Sequence, residues 1–375
     1  GRIAGVTYPN GFGVLRQYDS TGRLLRIHNS ADRTQVVWQL DVVNAAGQTM
    51  LETFGNGVTT ERIYSDEAQT LETLYTMAGL TTLQNLRYEY DTQLDVKSRL
   101  DSRQGKIERF YHDALNRVTC ARVHECTNDW TCINVDAPCD GDVHYGPTGS
   151  ITYKADVGIY EADPLHPHAV KSAGALQFEY DAVGNQVERL GETITYTDFD
   201  LPRQYIPKAG GVTTTFEYSA EGKRVRRMRG EAETVYLGDA YELDTNGNTV
   251  VERFYVHNDE RAFAVVERLA TGDAWRYVHT DHLGSVDVIT DSGGQEIDRR
   301  SFDAWGAPRD PKWGGNGALS SNEATRRGFT WHEWDDDVGL VNAGGRIYDP
   351  KIARFLQTDP VIADVLDAQT QNPYS

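Results

Sequence analysis

Two histidines three residues apart, His279 and His282, flank Asp281 and form a set of side chains that could bind a metal ion. Imidazole and carboxylate groups are common ligands of zinc and iron. The surrounding residues, however, predict a β-strand that leads into a turn at Leu283-Gly284-Ser285. Side chains three positions apart on a strand point to opposite faces, so both histidines cannot easily hold one ion. We expect them to form hydrogen bonds inside the fold, and we predict no metal site and no cofactor.

The four cysteines are crowded into one short stretch, at positions Cys120, Cys126, Cys132 and Cys139. They lack the Cys-x-x-Cys pairs of common zinc sites. Their even number favours two local disulfides in an oxidising compartment, with buried thiols or a metal site as the alternatives. Four cysteines allow three pairings, and the sequence does not choose among them.

The sequence contains no serine-nucleophile elbow, phosphate loop or nucleotide-binding fingerprint. The run Gly314-Gly315-Asn316-Gly317 lacks the lysine and the helix that a phosphate cradle requires. A balance of 37 basic against 56 acidic residues gives a formal net charge of −19, which repels nucleic-acid phosphates. No apolar run reaches the roughly 18 residues of a membrane-spanning helix. We therefore expect neither a nucleic-acid partner nor a membrane span.

The composition is typical of extended strands with many turns, since hydrophobic residues make up only 39% while Tyr and Gly number 20 and 35. The chain begins in mid-pattern at Gly1 without an initiator methionine, and we expect it to be an internal segment of a longer polypeptide. The lack of a signal peptide therefore leaves export of the parent polypeptide open.

The elements that must position any site are indicated by a recurring turn signal, in which an aromatic residue precedes Asp and Gly follows three residues after the Asp. It occurs at Tyr18-Asp19-x-x-Gly22, Tyr180-Asp181-x-x-Gly184 and Phe302-Asp303-x-x-Gly306, with degenerate copies at Tyr90-Asp91, His112-Asp113-x-x-Asn116 and Tyr218-Ser219-x-x-Gly222. Turns without the aromatic residue are predicted at Asn44-x-x-Gly47, Asp244-x-x-Gly247 and Asp291-x-x-Gly294. Asp, Asn or Ser can accept bonds from backbone amides two residues on, and Gly supplies the positive φ, so the chain reverses there.

The segments between these turns are rich in Thr, Val, Tyr and Phe and predict strands, as in Val212–Tyr218 and Val250–Val256. Turns that recur with two strands per unit predict a solenoid-like or spiralling β-sheet, and hence an all-β fold. Insertions are expected at Cys120–Gly149 and Ala162–Ser172 and an excursion at Asp310–Arg327, where prolines or glycines interrupt the rhythm.

Two helical elements are predicted, one at Val361–Ala368 and a single turn near Asn322–Ala324.

The repeated aromatic residues could also form a carbohydrate-binding surface. We favour a structural interpretation, in which a tyrosine at a fixed strand position pairs with the tyrosine of the next strand.

The segment from Tyr277 to Asp359 carries several ordered motifs. They are Tyr277-Val-His-Thr-Asp-His-Leu-Gly-Ser-Val286, Ser301-Phe-Asp-Ala-Trp-Gly306, Gly328-Phe-Thr-Trp-His-Glu333, Gly345-Arg-Ile-Tyr-Asp-Pro350 and Ala353-Arg-Phe-Leu-Gln-Thr-Asp-Pro360. This succession resembles the RHS repeat-associated core domain of RHS/YD-repeat proteins. The family includes bacterial polymorphic toxins, the C subunits of insecticidal ABC toxins and, more distantly, the teneurins.

The resemblance implies a role for Arg346 and Asp359. In self-cleaving members, an Arg and an Asp in the matching motifs, with a second Asp further on, are implicated in cutting the chain just downstream of the core domain. Here the motifs depart from the family at Ile347 and at Gly344 or Gly345. An aspartyl-type cut needs one carboxylate to activate water and another carboxyl to protonate the leaving amide. The alternative is that Arg346 and Asp359 form only a structural ion pair.

The second Asp and the scissile segment would follow Ser375, so we expect at most a single-turnover autoproteolysis in the parent polypeptide and an inactive fragment. The resemblance implies a YD-repeat β-shell over residues 1–274, with a cysteine-containing insertion near 120–149, and a core domain over residues 275–375. Together they would form part or all of a hollow shell.

The resemblance also implies that this shell encapsulates a C-terminal toxin domain of the same polypeptide. Further partners would be the remaining N-terminal shell or a B-type toxin subunit. The protein would be secreted or delivered by a secretion system in bacterial competition. The alternative is an extracellular adhesion module that recognises glycans or another protein.

Overall fold

The computed structural model describes residues 2–126, 132, 139, 142–314, 324–359 and 372–374. Over these residues the secondary structure consists of antiparallel strands and two short 3-10 turns, Pro9–Gly11 and Phe329–Trp331, which confirms the predicted all-β fold. The predicted helix at Val361–Ala368 and residues Asn322–Glu323 of the predicted helical turn lie outside the described residues. In each sheet every strand pairs with the next strand along the chain.

The first sheet spans residues 5–125 and alternates in burial as the period of a strand requires. In β6, for example, Val58, Thr60 and Arg62 are buried and the residues between them are not. Its eleven strands are β1 (Gly5–Thr7), β2 (Gly13–Tyr18), β3 (Leu24–Asn29), β4 (Val36–Val43), β5 (Thr49–Phe54), β6 (Val58–Tyr64), β7 (Leu71–Ala78), β8 (Thr81–Tyr90), β9 (Val96–Asp101), β10 (Lys106–His112) and β11 (Val118–Glu125).

The second sheet spans residues 143–299 and is the largest of the three. Its seventeen strands are β12 (Val143–Tyr145), β13 (Ile151–Lys154), β14 (Gly158–Ala162), β15 (Val170–Ala173), β16 (Leu176–Tyr180), β17 (Gln186–Arg189), β18 (Glu192–Tyr196), β19 (Pro202–Pro207), β20 (Thr214–Tyr218), β21 (Arg224–Arg229), β22 (Ala232–Leu237), β23 (Tyr241–Asn246), β24 (Thr249–His257), β25 (Ala262–Leu269), β26 (Gly272–Thr280), β27 (Val286–Thr290) and β28 (Glu296–Arg299). Strand β26 crosses the predicted boundary at residues 274 and 275 within this sheet, and the two-domain division stays a prediction.

The third sheet is small and lies within the sequence that resembles the core domain. Its four strands are β29 (Glu333–Asp335), β30 (Leu340–Asn342), β31 (Ile347–Asp349) and β32 (Arg354–Phe355). Leu340, Ile347 and Leu356 are fully buried against β18, β19 and β20 of the second sheet. This apolar contact fixes the third sheet, and every side chain that it carries, on one face of the second sheet.

The predicted turns at the aromatic–Asp pairs are confirmed. At the first of them, the Asp19 carboxylate accepts hydrogen bonds from the backbone N–H groups of Thr21, Gly22 and Arg23. The Thr21 hydroxyl, which also donates to this carboxylate, and then the backbone amides stabilise the charged form and lower the pKa of Asp19 to about 2. Gly22 has φ +93°, a backbone conformation that a side chain would strain.

The tyrosines of these repeats anchor each strand to an earlier part of the chain through their hydroxyl groups. Within the part of the chain that the structure describes, no ring contact joins these tyrosines in the pairs that we predicted. The hydroxyls donate to backbone carbonyls in Tyr18 to Ile3, Tyr90 to Leu71, Tyr145 to Val118, Tyr180 to Val170, Tyr196 to Gln186 and Tyr218 to Pro202, at 2.7–3.0 Å. Each of these tyrosines also lies at a register shift of its strand pair. Such a bulge re-aims the side chain next to the turn.

The turn predicted at Asp244 is wrong. Asp244 lies inside β23, and the chain reverses later through a two-residue connection between Asn246 and Thr249. The Asp244 carboxylate is instead paired with the guanidinium groups of Arg253 and Arg326. A two-residue hairpin loop that begins with Gly is sufficient to reverse the strand, so Asp244 is not needed for the turn.

The first and second sheets pack face to face through aromatic side chains. Phe12 stacks on Phe254 with ring centroids 4.6 Å apart, and Phe54 contacts Tyr277 edge to face at 6.1 Å. The opposite face of the second sheet is covered by the chain after residue 324, where Trp331 contacts the ring of the buried Tyr255. Strands β24 to β27 are therefore covered on both faces, which accounts for the continuous apolar run in β25.

A buried acid, Glu52 of β5, joins the two large sheets. Its carboxylate accepts from Arg62 at 2.7 Å, from the Trp38 indole at 2.7 Å and from Arg261, between β24 and β25, at 2.5 Å. Burial acts to raise the pKa of Glu52, but Arg261 and Arg62 outweigh it and lower the pKa to about 2.

We expect this lowered pKa to make the contact between the sheets sensitive to acid. The contribution of Glu52 is fully present above pH 4.5, its ordinary pKa, and is lost as the pH falls toward 2. The loss amounts to about 3 kcal/mol of the free energy of unfolding. Urea denaturation between pH 2 and 6 measures it. Glu52→Gln should flatten this part of the pH profile, and an equally steep profile in Glu52→Gln would contradict the assignment. The exposed Glu61 of β6 provides the matched control, Glu61→Gln.

Candidate functional site

Arg346 and Asp359, the two residues singled out from the sequence, are brought together by the hairpins of the third sheet. Arg346 immediately precedes β31, and Asp359 follows β32, its antiparallel neighbour. The backbone N–H of Leu356 donates to the carbonyl of Ile347 at 2.9 Å and extends this pairing toward both side chains. The third sheet thus aligns the segment before β31 with the segment after β32.

The two side chains form an ion pair, with Nη2 of Arg346 2.9 Å from Oδ2 of Asp359. The Arg346 guanidinium also lies over the ring of Phe355, 3.6 Å from its centroid. Partial burial lowers the pKa of Arg346, while the Asp359 carboxylate acts to raise it. The side chain of Asp359 keeps 34% of its surface exposed, so water can reach the carboxylate.

The same guanidinium holds a second partner from the C-terminal part of the chain. Nη1 of Arg346 donates to the carbonyl oxygen of Pro373 at 3.1 Å, and the backbone N–H of Asp359 donates to that oxygen at 2.8 Å. Arg346 therefore bridges the Asp359 carboxylate and the segment 372–374. A planar guanidinium with several fixed donors suits such a bridge, whereas a single ammonium group does not.

Asp349, the other acid of the same motif, forms a buried structural ion pair. Its carboxylate accepts from Nη2 of Arg189 at 2.7 Å, and both residues are almost fully buried. Arg189 also donates to the carbonyl of Val338 at 2.9 Å, which joins the third sheet to β17. Asp349 therefore lacks the water access that Asp359 has.

A buried network anchors the third sheet from its other end. Arg224 of β21 donates to Glu333 at 3.0 Å and forms two bonds to Asp335, at 2.8 and 2.9 Å. The Tyr236 hydroxyl donates to the other oxygen of Glu333 at 2.5 Å. Burial acts to raise the pKa of Glu333, but Arg224 and Arg327 lower it to about 2. Glu333 thus remains charged beside a buried arginine, whereas burial raises the pKa of Asp335 although Arg224 acts to lower it.

His279 lies in β26 and His282 in the turn that follows it, outside the third sheet that positions Arg346 and Asp359. Nε2 of His279 is 3.0 Å from the Thr290 hydroxyl, and its ring contacts Phe54 edge to face. The ring of His282 lies 4.4 Å from that of Tyr88. Burial lowers the pKa of His279 to about 3 and that of His282 to about 4, so both rings are neutral near pH 7.

The structure places Cys120 beside Cys139 and Cys126 beside Cys132, the arrangement that two local disulfides require. Asp142 lies within ligand distance of Cys120 and Cys139, which makes this the group with metal-ligand geometry among the described residues. The disulfides stay a prediction, and non-reducing mass spectrometry of native protein checks it. We expect that no thiol can be alkylated, and that proteolytic fragments are joined through Cys120 and Cys139 and through Cys126 and Cys132. Four alkylated thiols, or a zinc ion retained through purification, would contradict it.

The residues that sequence reasoning missed are Phe355, Pro373 and Tyr374, which surround Arg346 and Asp359. Phe355 lies in a motif that we used for the resemblance, but no spacing rule predicts that its ring lies under a guanidinium. Pro373 contributes through its backbone carbonyl, and Tyr374 through its backbone carbonyl and its buried side chain; neither residue carries a sequence signal. Among the described residues, no helix has the length and apolar character needed to cross a membrane.

The chain is similar in sequence to several curated proteins, and no family model matches it. It is 26% identical over 309 residues to double-stranded DNA deaminase toxin A of Burkholderia cenocepacia (strain H111), covering 80% of this chain and 20% of that protein. It is 23% identical over 392 aligned residues to toxin subunit YenC1 of Yersinia entomophaga, covering 87% of this chain and 40% of YenC1. A shorter match, 26% over 167 residues, relates it to tRNA nuclease WapA of Bacillus subtilis (strain 168), covering 43% of this chain and 7% of WapA. The chain spans less than half the length of each of these relatives.

Solved structures share the fold over the whole described architecture. A crystal structure of TcdB2-TccC3-TEV superimposes with a TM-score of 0.73 at 21% identity, covering 100% of this chain and 20% of that chain. A crystal structure of TcdB2-TccC3-Cdc42 superimposes with a TM-score of 0.70 at 20% identity, covering 98% of this chain and 21% of that chain. These matches confirm the predicted β-sheet fold.

Proposed function

Because the chain shares its fold and its sequence similarity with RHS-type toxin proteins, we propose that it forms part of a shell that encloses a toxin segment of the same polypeptide. The observation that carries this proposal is the superposition of at least 98% of the chain on the TcdB2-TccC3 structures. The partners are then the downstream toxin domain and the rest of the shell or a B-type subunit, and the protein acts after export.

We further propose that Arg346 and Asp359 take part in one self-cleavage of the polypeptide, which separates the toxin from the shell. In this hydrolysis, water adds to a peptide carbonyl carbon, the C–N bond breaks, and the leaving nitrogen receives a proton. The partly exposed carboxylate of Asp359 can take a proton from water, and Arg346 fixes its position through the ion pair at 2.9 Å. A second carboxyl must protonate the leaving nitrogen.

Protease protection of the full natural polypeptide tests the shell. We expect the segment downstream of residue 375 to resist trypsin while the β-sheets are folded, because a protease cannot reach the interior of an intact shell. The same segment should be digested once the sheets are unfolded in urea. Digestion at equal rates under both conditions, with residues 2–374 intact in the native sample, would contradict encapsulation.

A further inference from the structure

The C-terminal segment 372–374 is fastened to the protein at a site that the proposed function does not explain. The Tyr374 side chain is 3% exposed, and its hydroxyl donates to the backbone carbonyl of Gly184 at 2.6 Å. Its ring contacts Tyr180 edge to face, with centroids 5.9 Å apart. Tyr374 therefore fills a pocket at the turn Asp181–Gly184. This turn and the preceding Tyr180 form one copy of the recurring turn signal.

The backbone of this segment is held as well. The N–H of Phe355 donates to the carbonyl of Tyr374 at 3.2 Å, and the N–H of Asp359 donates to the carbonyl of Pro373 at 2.8 Å. Arg346 adds a charged donor to that same Pro373 carbonyl. The segment is thus tied to β32 and directly to both members of the Arg346–Asp359 pair.

Because Gly184 has no side chain, the Tyr374 side chain can occupy the space next to it. A Cβ atom at this position would lie 2.5 Å from the Tyr374 hydroxyl and 3.0 Å from Cγ2 of Thr358. Gly184 also has φ +93°, as the turn requires. Gly47 has a similar φ of +85° in another turn of the same type, but a Cβ there would meet only the tip of Arg23, at 3.8 Å. The close approach to Tyr374 distinguishes Gly184 from Gly47.

We propose that the Tyr374 pocket and the Arg346 guanidinium form a two-point clamp on the segment 372–374, which positions the sequence that follows against Asp359. Tyr374, Gly184 and Arg346 are then positioning residues, and this role rests on the proposed self-cleavage. A segment held at two points loses its conformational freedom on folding and not at the moment of cleavage. The residues that hold segment 372–374 therefore belong to the chain itself, and one of them, Gly184, lies at a turn of the second sheet.

Amide hydrogen exchange on the 375-residue chain tests the clamp without any cleavage. The reporters are the N–H groups of Phe355 and Asp359, which donate to the clamped segment. Tyr374→Ala and Gly184→Ala should each accelerate their exchange by roughly 10-fold or more, because opening of the segment exposes them. Gly47→Ala, which imposes a similar backbone strain, should leave both rates unchanged. Wild-type exchange at these two amides in Tyr374→Ala would overturn the clamp.

Cleavage of the full natural polypeptide tests the positioning role. We expect Tyr374→Ala to slow cutting by roughly 10-fold or more, and Tyr374→Phe to recover most of the rate because its ring still fills the pocket. A wild-type rate in Tyr374→Ala, with fast exchange at Phe355, would overturn the positioning role alone. Cutting at the wild-type rate in Asp359→Asn would overturn the proposed self-cleavage, and the exchange result would stand independently.

Discussion

Asp359→Asn is expected to leave the full natural polypeptide uncut while preserving its fold. The amide has nearly the size of the carboxylate and can still accept a bond from Arg346, but it cannot take a proton from water. Loss of one acid–base group slows a reaction by about 100- to 10,000-fold. A time course of intact mass after synthesis measures the uncut fraction. An unchanged urea midpoint would show that the sheets are intact.

Asp336→Asn provides the matched control, since the Asp336 side chain, directly after β29, is 71% exposed and lies near Arg227. It should be cut at the wild-type rate. Processing of Asp359→Asn at that rate would contradict the catalytic role and leave Arg346 and Asp359 as a structural ion pair.

Arg346→Lys should also impair cutting, although it keeps the charge. Arg346 uses one nitrogen for Asp359 and another for the Pro373 carbonyl. An ammonium group is a compact charge that cannot reproduce this planar fork. Undiminished cutting in Arg346→Lys would show that charge alone is sufficient.

Arg224→Met is expected to lower the free energy of unfolding strongly. Methionine retains an apolar stem over the ring of Phe216, on which the guanidinium now stacks. It leaves the carboxylates of Glu333 and Asp335 buried without their main cation. Removing one partner of a buried ion pair costs about 3–5 kcal/mol. The urea midpoint at pH 7 should fall accordingly, and the third sheet should become accessible to proteases.

Arg226→Met is the control on the same strand. The side chain of Arg226 is 39% exposed and pairs with the surface acids Glu217 and Glu233. A pair of this kind contributes about 0–1 kcal/mol. Equal losses of stability in Arg224→Met and Arg226→Met would contradict the anchoring role of Arg224 for the third sheet.

The sequence by itself determined the elements that depend on neighbouring residues. The Asp carboxylate of each turn bonds amides two to four residues on, as at Asp19, and the glycine that follows adopts a positive φ. Such turns are local, so their spacing predicted the strands and the all-β fold. The same reasoning placed one turn wrongly, at Asp244, because a two-residue loop that begins with Gly247 reverses the chain without an Asp.

The sequence also singled out Arg346 and Asp359, but only through motifs that resemble a known family. Their contact depends on the hairpins of the third sheet, and their environment depends on Phe355 and on the Pro373 carbonyl. The spacing of residues in the sequence does not predict that the Phe355 ring lies against the guanidinium or that the Pro373 carbonyl accepts from it. The tertiary structure alone decided these neighbours.

The long-range contacts were decided only by the tertiary structure. Glu52 meets Arg261, Arg189 meets Asp349, and Tyr374 meets Gly184, across separations of 160 to 209 residues. Each partner is an ordinary charged, aromatic or glycine residue in the sequence. A charge can be buried only where a distant strand delivers its counterion, and which strand does so depends on how the sheets stack. Local patterns therefore determined the strands and turns, whereas the stacking of the sheets determined the buried ion pairs, the clamp and the surroundings of Asp359.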